Sequence, residues 1–118
     1  MSKLGNALRE RGIHNTYDLL RKFGEQGRDV AVDYSQSDRM RLGGAHVWSP
    51  TFRTNPDAHW LDYGKKRFSG RRAESLPAAK AWASEKYGIE EWSPCPCIHG
   101  AYVPSYIITR AKQFLKTG

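Results

Sequence analysis

Along the amino-terminal quarter of the chain, apolar positions fall in two short bursts at helical spacing, each opened by a capping residue and closed by glycine. Ser2 caps a helix running to about Arg11, with Leu4, Ala7 and Leu8 on one stripe and Gly12 as the stop. After Ile13, Asn15 or Thr16 opens a second helix over TYDLLRKFG, which buries Tyr17, Leu20 and either Phe23 or Leu19 and is ended by Gly24 and Gly27. The period then shortens. In RDVAVDYS (28–35), Val30, Val32 and Tyr34 recur at every second position, the mark of a strand with one buried face.

QSDRMRLGG reads as a loop, with Gly43 and Gly44 marking a sharp bend. Two aromatic-rich runs follow, AHVWSPTFRT (45–54) and AHWLDYGKKRF (58–68), separated by the turn signal NPD. They are expected to pair as an antiparallel hairpin, with Pro50 putting the first run at a sheet edge or ending it early. In the second run Trp60, Asp62 and Gly64 share one side, and His59, Leu61 and Tyr63 the other. The clearest helix is SLPAAKAWASEKYG: Ser75 caps it, Pro77 sits harmlessly in its first turn, and Gly88 closes it. Its Ala79, Trp82, Ala83 and Tyr87 form one face. Ser105 caps a last helix, YIITRAKQFLK, whose stripe is Ile107, Ile108, Ala111, Phe114 and Leu115, although its β-branched start leaves a strand open for 101–108.

These elements sum to an α+β fold in a small single domain over 1–118. A helical unit (1–27) precedes an α+β core (28–118), in which an antiparallel sheet of about three strands is packed by the central helix and followed by the C-terminal helix. Composition supports compactness. Apolar residues make up only 39%, but four Trp, six Tyr and four Phe supply rings that bury roughly 150–250 Å² each. No apolar run approaches the roughly 20 residues that span a bilayer, and MSKLGNALRERG lacks the apolar core of a secretory leader. Two cysteines one residue apart make no disulfide framework, so the expectation is a soluble, cytoplasmic protein in a reducing compartment.

Charge narrows the choice of partner. Nineteen Lys and Arg against twelve Asp and Glu leave a formal charge of +7, which attracts polyanions. The positive charge concentrates in KKRFSGRR, where Lys65, Lys66, Arg67, Arg71 and Arg72 surround Phe68. Read as a turn leading into the helix that follows Ser75, this cluster sets Arg71 and Arg72 near a helix amino terminus. Free N–H groups there already favour an anion, and a bound phosphate would offset both. A solvated basic face is the plainer alternative. Arg53 and the aromatics Trp48 and Trp60 belong to the same region. Rings beside cations suit base stacking or protein docking, while core packing competes for the same rings.

LGNALRERGIHNTYDLL resembles the first half of helix-hairpin-helix-like modules through Leu8, Gly12, Ile13, Thr16, Asp18, Leu19 and Leu20. The resemblance implies that the Gly12–His14 backbone amides would lie against a nucleic-acid phosphate. It covers less than a fifth of the chain, and the second glycine usual in that hairpin is missing.

The stretch SPCPCIHG offers Cys95, Cys97 and His99 as zinc ligands. In an extended run the three side chains would point the same way. A fourth ligand would have to come from His14, His46 or His59, or from water. A stiff loop with ordinary reduced thiols competes with this reading, and a disulfide between Cys95 and Cys97 would close a strained small ring. Neither a nucleophile with an oxyanion hole nor a phosphate-cradling glycine loop is present, so no enzyme is expected and no cofactor other than the zinc alternative. The expectation is a small basic DNA- or RNA-binding protein that contacts the phosphate backbone with weak sequence preference. The alternative is a phage-type protein inhibitor or adaptor docked on a larger protein with an acidic surface.

Overall fold

The computed structural model describes residues 2–33, 45–50, 59–63 and 66–117, of which 59–63 and 66–72 are described by backbone course alone. In chain order the elements are α1 (Lys3–Glu10), α2 (Thr16–Phe23), β1 (Ala31–Asp33), β2 (Ala45–Trp48), β3 (His59–Tyr63) and β4 (Lys66–Ala73). After these come α3 (Leu76–Tyr87), β5 (Trp92–Pro94), β6 (Ala101–Pro104) and α4 (Ser105–Thr117). The class is α+β. The six strands form one antiparallel sheet in the order β3-β4-β2-β1-β6-β5. To the expected strands it adds β4, formed by the basic run, and β5 and β6, which flank the cysteine-containing loop.

Local chemistry accounts for the helix ends. Ser2 Oγ accepts the Gly5 amide at 3.0 Å and Ser75 Oγ accepts the Ala78 amide at 3.2 Å. At α2 the arrangement is reciprocal: Asn15 Oδ1 accepts the Asp18 amide at 2.8 Å, and Asp18 Oδ2 accepts the His14 amide at 3.1 Å. Gly88 ends α3 at φ 68°, in the left-handed region where a side chain would be strained. Ser105 is itself the first residue of α4 rather than its cap. Its hydroxyl meets Ser93 Oγ at 2.7 Å and its amide donates to the Glu91 carbonyl.

Helices cover the sheet on both sides, and this overturns the expected single buried face of the first strand. Val30, Val32, Ala45 and Val47 pack with Leu76, Ala79, Ala83 and Ile89 beneath α3. Ala31, Trp48, Ala101 and Val103 pack on the other side with Leu8, Leu19, Leu20, Ile107 and Ala111 of α1, α2 and α4. A strand buried on both faces reads as a continuous apolar run, which is why Val30, Ala31 and Val32 are all buried. The helical layer is fastened from α4. Tyr106 Oη accepts the Glu25 amide and donates to the Arg28 carbonyl, while Arg110 donates to the Phe23 carbonyl and pairs with Glu25.

The expected hairpin is corrected by the register. β4 lies between β2 and β3, pairing Trp48 with Gly70 on one side and His59 with Gly70 on the other. The true hairpin joins β3 to β4, with Tyr63 opposite Lys66. β2 is an interior strand between β1 and β4 and ends just before Pro50, the second of the two outcomes that proline allowed. The expected glycine bend at 43–44 and the NPD turn lie outside the described residues.

Candidate functional site

The basic cluster is a strand. Lys66, Arg67, Phe68, Arg71 and Arg72 all stand on β4, and Arg72 ends three residues before Ser75 caps α3. The placement of Arg71 and Arg72 at a helix amino terminus is therefore corrected: they are hydrogen-bonded into the sheet opposite Val47 and His46. The sequence hides this strand because KRFSGRR has no apolar alternation. A strand paired on both edges is held by backbone hydrogen bonds and does not need one. Asp62 stands opposite Arg67, and Trp60 on β3 stands opposite Ser69. Arg53 and Lys65 lie outside the described residues.

Trp48 leaves the candidate set. It is fully buried, and its indole Nε1–H donates to Asp33 Oδ2 at 2.8 Å. A ring in that position packs the core and cannot stack on a base. Beside it, Ser49 Oγ donates to the buried Asp29 carboxylate at 2.9 Å. Cations elsewhere are engaged with rings. Arg11 and Lys22 lie over Phe114 at 5.4 and 4.6 Å, Arg28 and Arg110 over Tyr106 at 4.7 and 4.8 Å, and Lys80 over Tyr102 at 3.6 Å. The contacts over Phe114 and Tyr106 lie in the layer of α1, α2 and α4, the one over Tyr102 joins α3 to β6, and together they use part of the positive charge structurally.

The Gly12–His14 turn, where the helix-hairpin-helix resemblance would direct amides at a phosphate, spends those amides internally. Gly12 donates to the Arg9 carbonyl, Ile13 to the Leu8 carbonyl and His14 to the Asp18 carboxylate. Gly12 adopts φ 84°, which explains the glycine without a ligand.

The cysteines part company with His99. The chain bends at 96–98 instead of running extended, so Cys95 and Cys97 turn inward and are buried while His99 is exposed. Among the described residues no group of three or more His, Cys, Asp or Glu side chains converges, so the expected zinc set Cys95, Cys97 and His99 is not brought together. Both thiols are free, and both reach the α1–α2 unit. Cys95 Sγ lies 3.1 Å from Thr16 Oγ1, and Cys97 Sγ donates to the Ile13 carbonyl at 3.7 Å. Hydrogen bonding from the Cys97 thiol, aided by Thr16, brings the Cys95 thiol down to about 6 despite burial. The same bond, together with burial, pushes the Cys97 thiol up. No sequence signal joins Thr16 to Cys95, which are far apart along the chain; only the fold makes them neighbours.

Comparison of the chain with protein-family models, with curated proteins and with solved structures found no match. Among the described residues, no helix is long and apolar enough to cross a membrane.

Proposed function

We propose that the chain binds nucleic acid through the β3–β4 ribbon, with the positive charge of Lys66, Arg67, Arg71 and Arg72 attracting the phosphate backbone. The observation that carries this reading is the concentration of four cations on one eight-residue strand at the outer end of the sheet. Five cations elsewhere are occupied by aromatic rings. A strand contacting phosphates reads charge and spacing more than base identity, so sequence preference is weak and salt dependence is steep.

Anisotropy titrations of generic duplex and single-stranded oligonucleotides over a salt series test the reading. Replacing Lys66, Arg67, Arg71 and Arg72 together by Gln should flatten the duplex salt slope by up to about 3.6, at about 0.9 for each phosphate no longer neutralised. A control replacing the exposed Lys112 and Lys116 of α4 should leave the slope nearly unchanged. Absence of binding at low salt, or a quadruple variant that binds like the wild type with its fold intact, overturns the proposal. The first of these outcomes would favour a protein partner with an acidic surface.

A further inference from the structure

The two thiols lie where the edge of the sheet meets the α1–α2 turn, and the nucleic-acid reading makes no use of them. Three features set them apart from inert buried cysteines. They are two positions apart on a bend, and both side chains are buried against the same amino-terminal helical unit. Each also reaches the amino-terminal unit: Cys95 meets Thr16, the first residue of α2, and Cys97 donates to the Ile13 carbonyl in the turn before it. Finally, Cys97 has a single S–H, which it donates to the Ile13 carbonyl, so any reaction that consumes that proton also frees the turn.

We propose that Cys95 and Cys97 form a hydroperoxide-sensitive dithiol, with Cys95 the attacking sulfur and Cys97 the resolving one, whose closure to an intramolecular disulfide releases the α1–α2 turn. In the first step the Cys95 thiolate attacks one oxygen of a small hydroperoxide. The O–O bond breaks, Cys95 becomes a sulfenic acid, and the leaving oxygen takes a proton and departs as water (or as an alcohol from an alkyl hydroperoxide). In the second step Cys97 Sγ, losing its proton, attacks the sulfenic sulfur. The S–S bond forms and the hydroxyl leaves with that proton as water. The two-electron oxidation of the pair matches the two-electron reduction of the peroxide.

The surroundings favour this division of labour. The Cys95 thiolate is stabilised by the Cys97 thiol, by the Thr16 hydroxyl and by the backbone amides of Cys97 and Ile98. The neighbouring Cys95 and burial keep Cys97 protonated until the second step, with the charge of Arg9 opposing this and that of Asp18 adding to it. Exposures of 7% and 8% admit a small oxidant in preference to a bulky one. Bridging requires Cα atoms about 4.4–6.8 Å apart, a range whose upper end a fully extended pair only just meets at about 3.3 Å per residue. A bend such as that at 96–98 shortens the separation from its extended value. Such a small ring stays strained, which makes it easily reopened by thiols and suits a reversible state. Once closed, Cys97 has no proton for Ile13 and Thr16 has lost its anionic acceptor, so both sulfur tethers on the turn weaken together.

The test uses the full chain, reduced and then exposed to hydrogen peroxide. The expected product is monomeric, lighter by two hydrogen atoms, with Cys95 and Cys97 linked in the peptide map. Amide exchange across Gly12–Thr16 should quicken and be restored by dithiothreitol. In the untreated chain a small alkylating agent should label Cys95 about ten-fold faster than Cys97 at neutral pH. Cys97→Ser should yield a dimedone-trapped sulfenic acid on Cys95, and Thr16→Val should raise the pH midpoint of Cys95 labelling. Preferential labelling of Cys97, only intermolecular or over-oxidised products, or turn exchange indifferent to oxidation would each overturn the proposal. The labelling order in the wild-type chain decides even if a variant misfolds.

Discussion

Replacing Trp48 by phenylalanine changes two things at once, and the structure allows each to be sized. The first is the bond from the indole N–H to Asp33 Oδ2, 2.8 Å long. A hydrogen bond to a charged group contributes about 1.5–3 kcal/mol, and Asp33 is only half-buried, so the lower part of that range, about 1.5–2 kcal/mol, applies. The second is volume. Trp48 is fully buried, so about 40 Å³ of lost ring at about 24 cal/mol per Å³ adds about 1 kcal/mol. The expected loss is about 2.5–3 kcal/mol, a large share of the roughly 5–15 kcal/mol that keeps a domain folded. Urea unfolding followed by far-UV circular dichroism is the appropriate assay, because the substitution removes one of the fluorophores. Pairing it with Asp33→Asn isolates the bond: the two changes should be non-additive by about 1 kcal/mol or more. Additive effects, or a Trp48→Phe loss below about 1 kcal/mol, would refute the account of Trp48 as a hydrogen-bonded core anchor.

Other predictions are narrower. Gly24→Ala should cost about 1–3 kcal/mol from overpacking, since a Cβ there would lie 2.5 Å from Asp29 Cβ and 2.6 Å from the Leu20 carbonyl. Gly12→Ala, with open space but φ 84°, should cost about 1–2 kcal/mol through backbone strain alone, and thermal melts of the pair compare the two mechanisms. The hydrogen bond and charge of Arg110, with Arg28 adding, hold the Glu25 carboxyl below its ordinary range. A depressed carboxylate stabilises the fold above its ordinary titration range and loses that contribution as pH falls through the folded value. Glu25→Gln should therefore flatten the acid limb of a stability-against-pH curve, and an unchanged limb would remove the pair from the account. Burial first and the Asp29 charge second push the Tyr87 phenol from 10.0 up to about 12. A raised phenol contributes stability that is complete below its ordinary value and lost as pH rises toward the folded one. Phenolate absorbance of the wild type minus that of Tyr87→Phe should show a tyrosine that ionises well above 10, and a difference that titrates near 10 would contradict the burial.

What is legible in the sequence is local. Ser2, Asn15, Ser75, Gly24 and Gly88 mark helix ends because capping depends on a residue and its neighbours three or four positions away. Strand partners are a different matter. Val30, Val47 and Leu61 announce strands, but nothing in a period of two says that β4 should enter between β2 and β3. β4 itself escapes a sequence reading because its positions are filled by cations, and β5 because proline and cysteine dominate its surroundings, whereas β6 falls within the strand left open for 101–108. The basic cluster stands out in the sequence, but its conformation does not. Trp48 suits both a core role and a binding role on sequence grounds, and only the Asp33 bond decides between them. The thiols draw attention through their spacing to His99, whereas the contacts that matter to them come from Thr16 and Ile13.

The position of β6 has a consequence for synthesis. It sits beside β1 near the middle of the sheet, with Asp33 opposite Ala101. During translation β1 would emerge with one long edge unpaired and wait about 68 residues for its neighbour, roughly 3–14 s at about 5–20 residues per second. The amino-terminal helices wait longer still, since α4, the last element described, covers them. Until then the nascent chain carries Leu8, Leu19 and Leu20 without their cover, so the interval before β6 arrives is when the chain is most exposed to misassembly and most in need of protection.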